Sequence, residues 1–255
     1  MPGSMFPSPP PRLAPRERLL VALDVARLDA ALALVREVQS LVGGFKVGLE
    51  LCTAEGVPRV VEAVATAGGS LFLDLKMHDI PNTVAGAVRA VCAFGPAVRM
   101  LTLHCQGGGA MLRAAAEAAR AAPHRPLLLG VTVLTSVDQP TLRDELGVGA
   151  PLTTHVTRLA RLAQTCGLDG VVASPHEVAA IRAACGNGLL IVTPGVRPAW
   201  AAIGDQQRVT TPAAALRAGA DYLVIGRPIT APPPEVGGPS AAAARIVHEL
   251  EAEGV

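Results

Sequence analysis

The sequence predicts a single α/β domain of the (β/α)8 TIM-barrel class, occupying residues 18–255. Three observations carry that expectation. From residue 18 onward a short apolar run followed by an Ala-rich segment of helical spacing recurs about every 30 residues. The runs are almost continuously apolar, as strands covered on both faces must be. The chain, at 255 residues, is the right length for one such barrel.

Each element follows in order. RLLVALDV (18–25) leads into LDAALALVREVQSL (28–41). FKVGLE (45–50) is the second strand, and LFLDLK (71–76) the third, followed by NTVAGAVRAVCAF (82–94) with Asn82 as its cap. VRMLTLHC (98–105) reaches GGGAMLRAAAEAARAA (107–122) through the turn Gly107-Gly108-Gly109. LLLGVTVL (127–134) precedes THVTRLARLAQTC (154–166), and DGVVAS (169–174) precedes PHEVAAIRAAC (175–185). LLIVTP (189–194) precedes TTPAAAL (210–216), a helix start with Thr211 as cap and Pro212 at the first position. DYLVIG (221–226) is the eighth strand, and SAAAARIVHELEAE (240–253) closes the chain. Strands alternating with helices imply a parallel sheet. An open dinucleotide-binding sheet would place G-x-G-x-x-G after the first strand, where this chain has LDVARLD.

Composition excludes several function classes. Half of the residues are hydrophobic but only 2% are aromatic, so Ala, Val, Leu and Ile must build the core. A formal charge of +1, dispersed basic residues, one Trp and one Tyr give nucleic acid no platform. The five cysteines (Cys52, Cys92, Cys105, Cys166, Cys185) are odd in number and lack C-x-x-C spacing. They read as small buried thiols in a reducing cytoplasm, with no metal or disulfide role. No apolar run is long enough to span a bilayer, so no membrane partner is expected. The Pro-rich residues 1–17 lack the apolar segment of a signal peptide and are expected to form a disordered leader. PPPEVGGP (232–239) is assigned no role.

Chemistry gathers at the carboxyl ends of the strands, where a barrel holds its site. Asp24 follows strand 1, Lys46 lies in strand 2, and Asp74 and Lys76 close strand 3. Thr135 follows strand 5, Ser174 strand 6, Arg197 strand 7 and Arg227 strand 8. Asp74 and Lys76, two apart, face the same side as Phe72, whereas Leu71, Leu73 and Leu75 face the helices. Asp79 lies beyond the reach of the strand. An ion network that merely closes the barrel top is the plain alternative, but apolar residues would fill that place at less cost. TPGVR (193–197) and IGRP (225–228) stand where barrels commonly hold a phosphate, with Gly195 and Gly226 allowing close backbone approach and Arg227 supplying a planar fork.

DLKMHDIPNT (74–83) resembles the D-x-K-x-x-D-I-x-N-T signature of the orotidine 5′-phosphate decarboxylases. ALDV, FKVGLE, LTLH, GVTVLTS, VVASPHE, VTPGVRP, GDQQR and YLVIGRPIT are similar to the bacterial form in the same order. The resemblance implies a homodimeric, cofactor-free barrel converting orotidine 5′-phosphate to UMP in pyrimidine synthesis. It further implies that Asp24 and Lys46 contact the ribose and complete a charged network. Asp74 would face the substrate carboxylate and Lys76 would be the proton donor. Asp79 and Thr83 would reach the partner's site. Thr135 would touch ribose-phosphate, Ser174 and Pro194 the pyrimidine, while Gln206, Gly226 and Arg227 would hold the phosphate with Arg197 nearby. His104 is expected to pack, and His78 to lie away from the reacting carbon.

Two rival functions remain open. One is a Mg-dependent keto-sugar-phosphate decarboxylase of the same barrel group, which carries a glutamate on strand 2 where this chain has Lys46. The other is a non-catalytic nucleotide-binding barrel, which would tolerate loss of Lys76 or Asp79.

Overall fold

The computed structural model describes residues 13–201 and 210–255. Eight parallel strands close on themselves in sequence order, β1 through β8, with β8 pairing β1. They are β1 Leu19–Ala22, β2 Gly44–Val47, β3 Leu71–Met77, β4 Val98–His104, β5 Leu127–Val131, β6 Gly170–Val172, β7 Leu190–Pro194 and β8 Tyr222–Ile225. The intervening helices are α1 Leu28–Val38, α2 Leu49–Glu55, α3 Val57–Thr66, α4 Pro81–Cys92, α5 Gly108–Arg120, α6 Leu152–Thr165, α7 Val178–Cys185, α8 Pro212–Arg217, α9 Arg227–Thr230 and α10 Pro239–Ala252. No helix among the described residues is long and apolar enough to cross a membrane.

The period-two pattern of the strands sorts their side chains into two cores. Leu20, Ala22, Phe72, Met100, Leu129, Val192, Tyr222 and Val224 fill the barrel interior. Leu19, Val21, Leu71, Leu73, Leu101 and Leu103 face outward into the layer under the helices. The helices answer at their own spacing: α1 buries Leu28, Ala31, Val35 and Val38, one face of a 3.6-residue turn. Fully burying such a Val or Leu contributes about 1.5–3 kcal/mol, so these stripes, rather than helix propensity, hold the outer ring. The interior core matters most here, because it is the solid floor on which polar side chains of the upper strand ends stand.

Two carboxylates close the amino end. Asp169, just before β6, accepts the Leu128 N–H at 2.8 Å and a bidentate pair of bonds from Arg125. Asp221, just before β8, accepts the Ile191 N–H at 2.7 Å and pairs with Arg182. Each satisfies the N–H of the second residue of a strand, as buried backbone groups require.

Some local boundaries differ from those read in the sequence. The second strand stops at Val47 and Leu49 already begins α2, because Gly48 breaks the run; a Cβ at Gly48 would stand only 3.2 Å from Lys46 Nζ. Asn82 is not the cap of α4: Ile80 holds that position and Pro81 starts the helix. Proline is suited there because its missing N–H belongs to a group that no intrahelical bond would satisfy. Thr211 does cap α8, accepting the Ala214 N–H at 3.2 Å. At the start of the chain, Leu13 already packs on the interior core and Pro15–Arg18 form a 3-10 turn, ahead of the boundary read at residue 18. The rest of the expected leader, residues 1–12, lies outside the described residues.

Candidate active site

The carboxyl ends of the strands bring Asp24, Lys46, Asp74 and Lys76 into one alternating chain of charge. Register explains the meeting: Ala22 is level with Lys46, and Lys46 with Phe72, so residues two further up β1 and β3 flank the lysine on either side. Lys46 Nζ donates to Asp24 Oδ1 at 2.8 Å and stands 3.7 Å from Asp74 Oδ2. Lys76 Nζ donates to the same Asp74 oxygen at 2.7 Å. Asp74 is nearly closed off, with its side chain 12% exposed, while that of Asp24 at the rim is 64% exposed. A carboxylate this buried is tolerable only because two ammonium groups and a hydroxyl surround it.

Strand β3 does not reach this arrangement by simple alternation. Leu73 pairs with Leu101 but Met77 pairs with Leu103, so four steps on β3 match two on β4. The surplus is a bulge, and Lys76 within it has a φ of 50°, a left-handed value rare for any residue but glycine. Such a conformation costs on the order of 1–3 kcal/mol and persists only where neighbours over-determine it. Here the neighbour is Thr102 on β4, which is fully buried. Its Oγ1 accepts the Lys76 N–H at 2.9 Å and donates to Asp74 Oδ1 at 3.0 Å. Sequence reasoning missed Thr102. The available signal was its position, an inward-facing polar residue two places after Met100, between the outward-facing Leu101 and Leu103.

The charged cluster lines a cavity of about 430 Å³. Ala22, Phe72, Val131, Val172, Pro194 and Val224 give it apolar walls and a floor, and Val133, Leu134, Thr135 and Ala173 complete one side. Gly195, Arg197, Gly226 and Arg227, from the ends of β7 and β8, line it as well, and a Cβ at Gly226 would stand 3.8 Å from Asp24 Oδ2. Gly195 has a φ of 76°, which glycine alone adopts without strain. Beyond it the loop after β7 is tied down where Arg197 N–H donates to the Thr210 carbonyl at 3.0 Å. The volume suits a small ligand that carries charged groups.

The structure therefore brings Asp24, Lys46, Asp74, Lys76, Thr135, Pro194, Arg197, Gly226 and Arg227 to one cavity. Three residues singled out in the sequence do not line it. Ser174 is not among the lining residues: its Oγ accepts the His176 N–H at 3.4 Å and its carbonyl accepts the Glu177 N–H, while Val172 and Ala173 line the cavity. Asp79 and Thr83 stand on the exposed segment 78–83, where the Asp79 carboxylate accepts the Ile80 N–H at 2.6 Å. Ile80 beside them is 67% exposed, unusual for so large an aliphatic side chain. Gln206 lies outside the described residues. The His104 and His78 rings sit 5.5 Å apart at the cluster's edge. Burial first, then the charges of His78 and Lys76, hold the His104 imidazole below its usual pKa, favouring the neutral ring.

A closed parallel barrel with a charged cavity at the carboxyl ends of its strands defines the class of the protein, a (β/α)8-barrel enzyme. Within that class, the chain belongs to the orotidine 5′-phosphate decarboxylase / HUMPS family, whose model matches residues 17–245. It is 53% identical to the orotidine 5′-phosphate decarboxylase of Moorella thermoacetica over 98% of this chain and 99% of that one. To the protein of the same name from Halorhodospira halophila it is 54% identical, over 93% and 97% of the two chains. The crystal structure of orotidine 5′-phosphate decarboxylase from Lactobacillus acidophilus superposes with a TM-score of 0.77 at 36% identity, covering 91% of this chain and 98% of that one.

Proposed function

We propose that this enzyme decarboxylates orotidine 5′-phosphate to UMP, using its own charged side chains and no metal or organic cofactor. The observation that carries the mechanism is the Asp74–Lys76 pair at 2.7 Å, in the same cavity that Gly195, Gly226, Arg197 and Arg227 line. Phosphate held by Gly226 and Arg227 near Arg197, with Gln206 given the same task on the family resemblance, sets the pyrimidine against Pro194 and Ala173. Asp24, Lys46 and Thr135 take the ribose and its phosphate linkage. The carboxylate on C6 then faces Asp74.

Loss of CO₂ leaves the bonding electron pair on C6, a carbanion with little delocalisation. The ammonium of Lys76 stabilises the charge as it develops and then delivers its proton to C6. Asp74 opposes the bound carboxylate: two unit charges 4 Å apart repel by about 4 kcal/mol at an effective dielectric near 20, and the repulsion ends as neutral CO₂ departs. Binding energy from the remote phosphate offsets that strain. Lys46 also disfavours the magnesium-dependent alternative. Its ammonium occupies the space between Asp24 and Asp74, where a divalent cation would otherwise be drawn.

We read the active form as a homodimer in which Asp79 and Thr83 of one chain complete the site of the other. Support comes from the exposed 78–83 segment and its uncovered Ile80. We place the reaction in the cytoplasm, where the five free cysteines stay reduced.

The direct test mixes purified protein with orotidine 5′-phosphate in EDTA and follows loss of the orotate absorbance. Turnover is expected with chelator present; a requirement for added Mg²⁺, or no turnover at all, would overturn the assignment. The phosphate end has its own test. Arg227→Ala should lower kcat/KM for the nucleotide by at least about 100-fold, the scale of a lost bidentate charged contact. The slow reaction of phosphate-free orotidine should hardly change, because that substrate has no group to lose. Equal losses on both substrates would make Arg227 a structural residue.

A further inference from the structure

We propose that Thr102 is the positioning residue of the charged cluster: its single hydroxyl holds the bulge that aims Lys76 and fixes the orientation of the Asp74 carboxylate. The inference rests on the proposed decarboxylase chemistry and adds to it a residue that touches no substrate.

The hydroxyl's hydrogen position follows from its partners. The Lys76 N–H can only donate, and an ionised Asp74 carboxylate can only accept. Thr102 Oγ1 must therefore accept from the first at 2.9 Å and donate to the second at 3.0 Å. Both bonds converge on the two residues that the proposed reaction uses. The first holds the peptide N–H of the one described non-glycine residue with a positive φ. The second occupies Asp74 Oδ1, leaving Oδ2 as the oxygen that meets both Lys76 and Lys46. Were the carboxylate to rotate, Lys76 would lose its partner and the charge facing C6 would move.

Thr102 suits the task by its place and its shape. On β4 it follows Met100 in the inward-facing register, directly above the interior core, and no part of it is exposed. Branching at Cβ restricts its χ1 and so limits the positions open to the hydroxyl. Neighbouring β3 carries its register shift at this level, between Leu73 and Met77. The bulge supplies the unusual backbone, and Thr102 supplies the bond that selects it. A misplacement of about 1 Å at a reacting group can cost about 100-fold in rate.

The experiment replaces the hydroxyl with a methyl of the same shape. Thr102→Val is expected to lower kcat for orotidine 5′-phosphate by about 10- to 100-fold, with KM and UMP affinity within about threefold of wild type. Thr102→Ser keeps the hydroxyl and should recover kcat to within about threefold of wild type. Thr102→Ala, which adds no bulk, should lose kcat like valine and serves if the valine variant does not fold. Crystal structures of wild type and variant give a readout independent of turnover: without the hydroxyl, Lys76 should leave its left-handed conformation and its bond to Asp74. A valine or alanine variant with wild-type kcat overturns the proposal. So does a variant structure that retains both features, or failure of serine to rescue. Should wild type itself prove inactive, the decarboxylase assignment falls and the two structures alone decide the role of Thr102.

Discussion

Replacing Lys76 with alanine removes decarboxylation almost completely while UMP still binds. The expected loss in kcat is about 10⁴-fold or more, since one group supplies both the charge that stabilises the carbanion and the proton that quenches it. Folding should survive. Asp74 keeps Lys46 at 3.7 Å and the Thr102 hydroxyl, so the buried carboxylate is not left alone. Alanine also bears a Cβ, so the left-handed backbone at position 76 is no more and no less strained than before. Turnover and UMP affinity are measured separately on the same preparation. Activity within about tenfold of wild type would remove Lys76 as the proton donor. Affinity for UMP falling in step with kcat would point instead to a collapsed site.

Mixing two inactive variants should restore activity to roughly one quarter of wild type. The pair is Lys76→Ala and Asp79→Ala, combined under conditions where dimers exchange. In a mixed dimer one site carries both lesions. The other receives an intact Lys76 from one chain and an intact Asp79 from its partner. Random exchange makes about half the dimers mixed, and half of their sites work, which yields the quarter. The expectation follows from where the structure leaves these residues: Lys76 lines the cavity, whereas Asp79 stands outside it on the exposed 78–83 segment. If Asp79 served its own chain's site, every site would keep a lesion. Absence of recovery after exchange has been demonstrated, for instance by mass spectrometry of isotopically labelled chains, would rule out the shared site.

The two expectations differ in what they ask of the fold. The first concerns a pair two residues apart on one strand, whose nearness is plain in the sequence and whose contact is made across the bulge at Lys76. The second concerns Asp79, three residues beyond Lys76, for which spacing says only that the strand has ended. Its exposure in the structure is what makes a contribution to another chain physically sensible.

The sequence by itself determined the barrel. Eight apolar runs with helical segments between them admit few other closed arrangements, because each run must be buried on both faces and parallel neighbours need crossovers. It also determined which strand ends carry chemistry, since charge on an apolar strand is costly unless it is used or paired. Only the tertiary structure decided how those charges are held. That Lys46 lies between Asp24 and Asp74 depends on the register of three strands, set by packing across the whole ring. The engagement of Ser174 in local bonds with His176 and Glu177 is likewise something that periodicity does not encode. The bulge at Lys76 and the hydroxyl of Thr102 lie further still from linear reading. A threonine 26 positions along the chain becomes the partner of a backbone N–H only when β4 is laid against β3 with two residues to spare. Spacing along a chain reports which face a residue takes; the partner on that face is chosen by another strand, and that choice exists only once the barrel has closed.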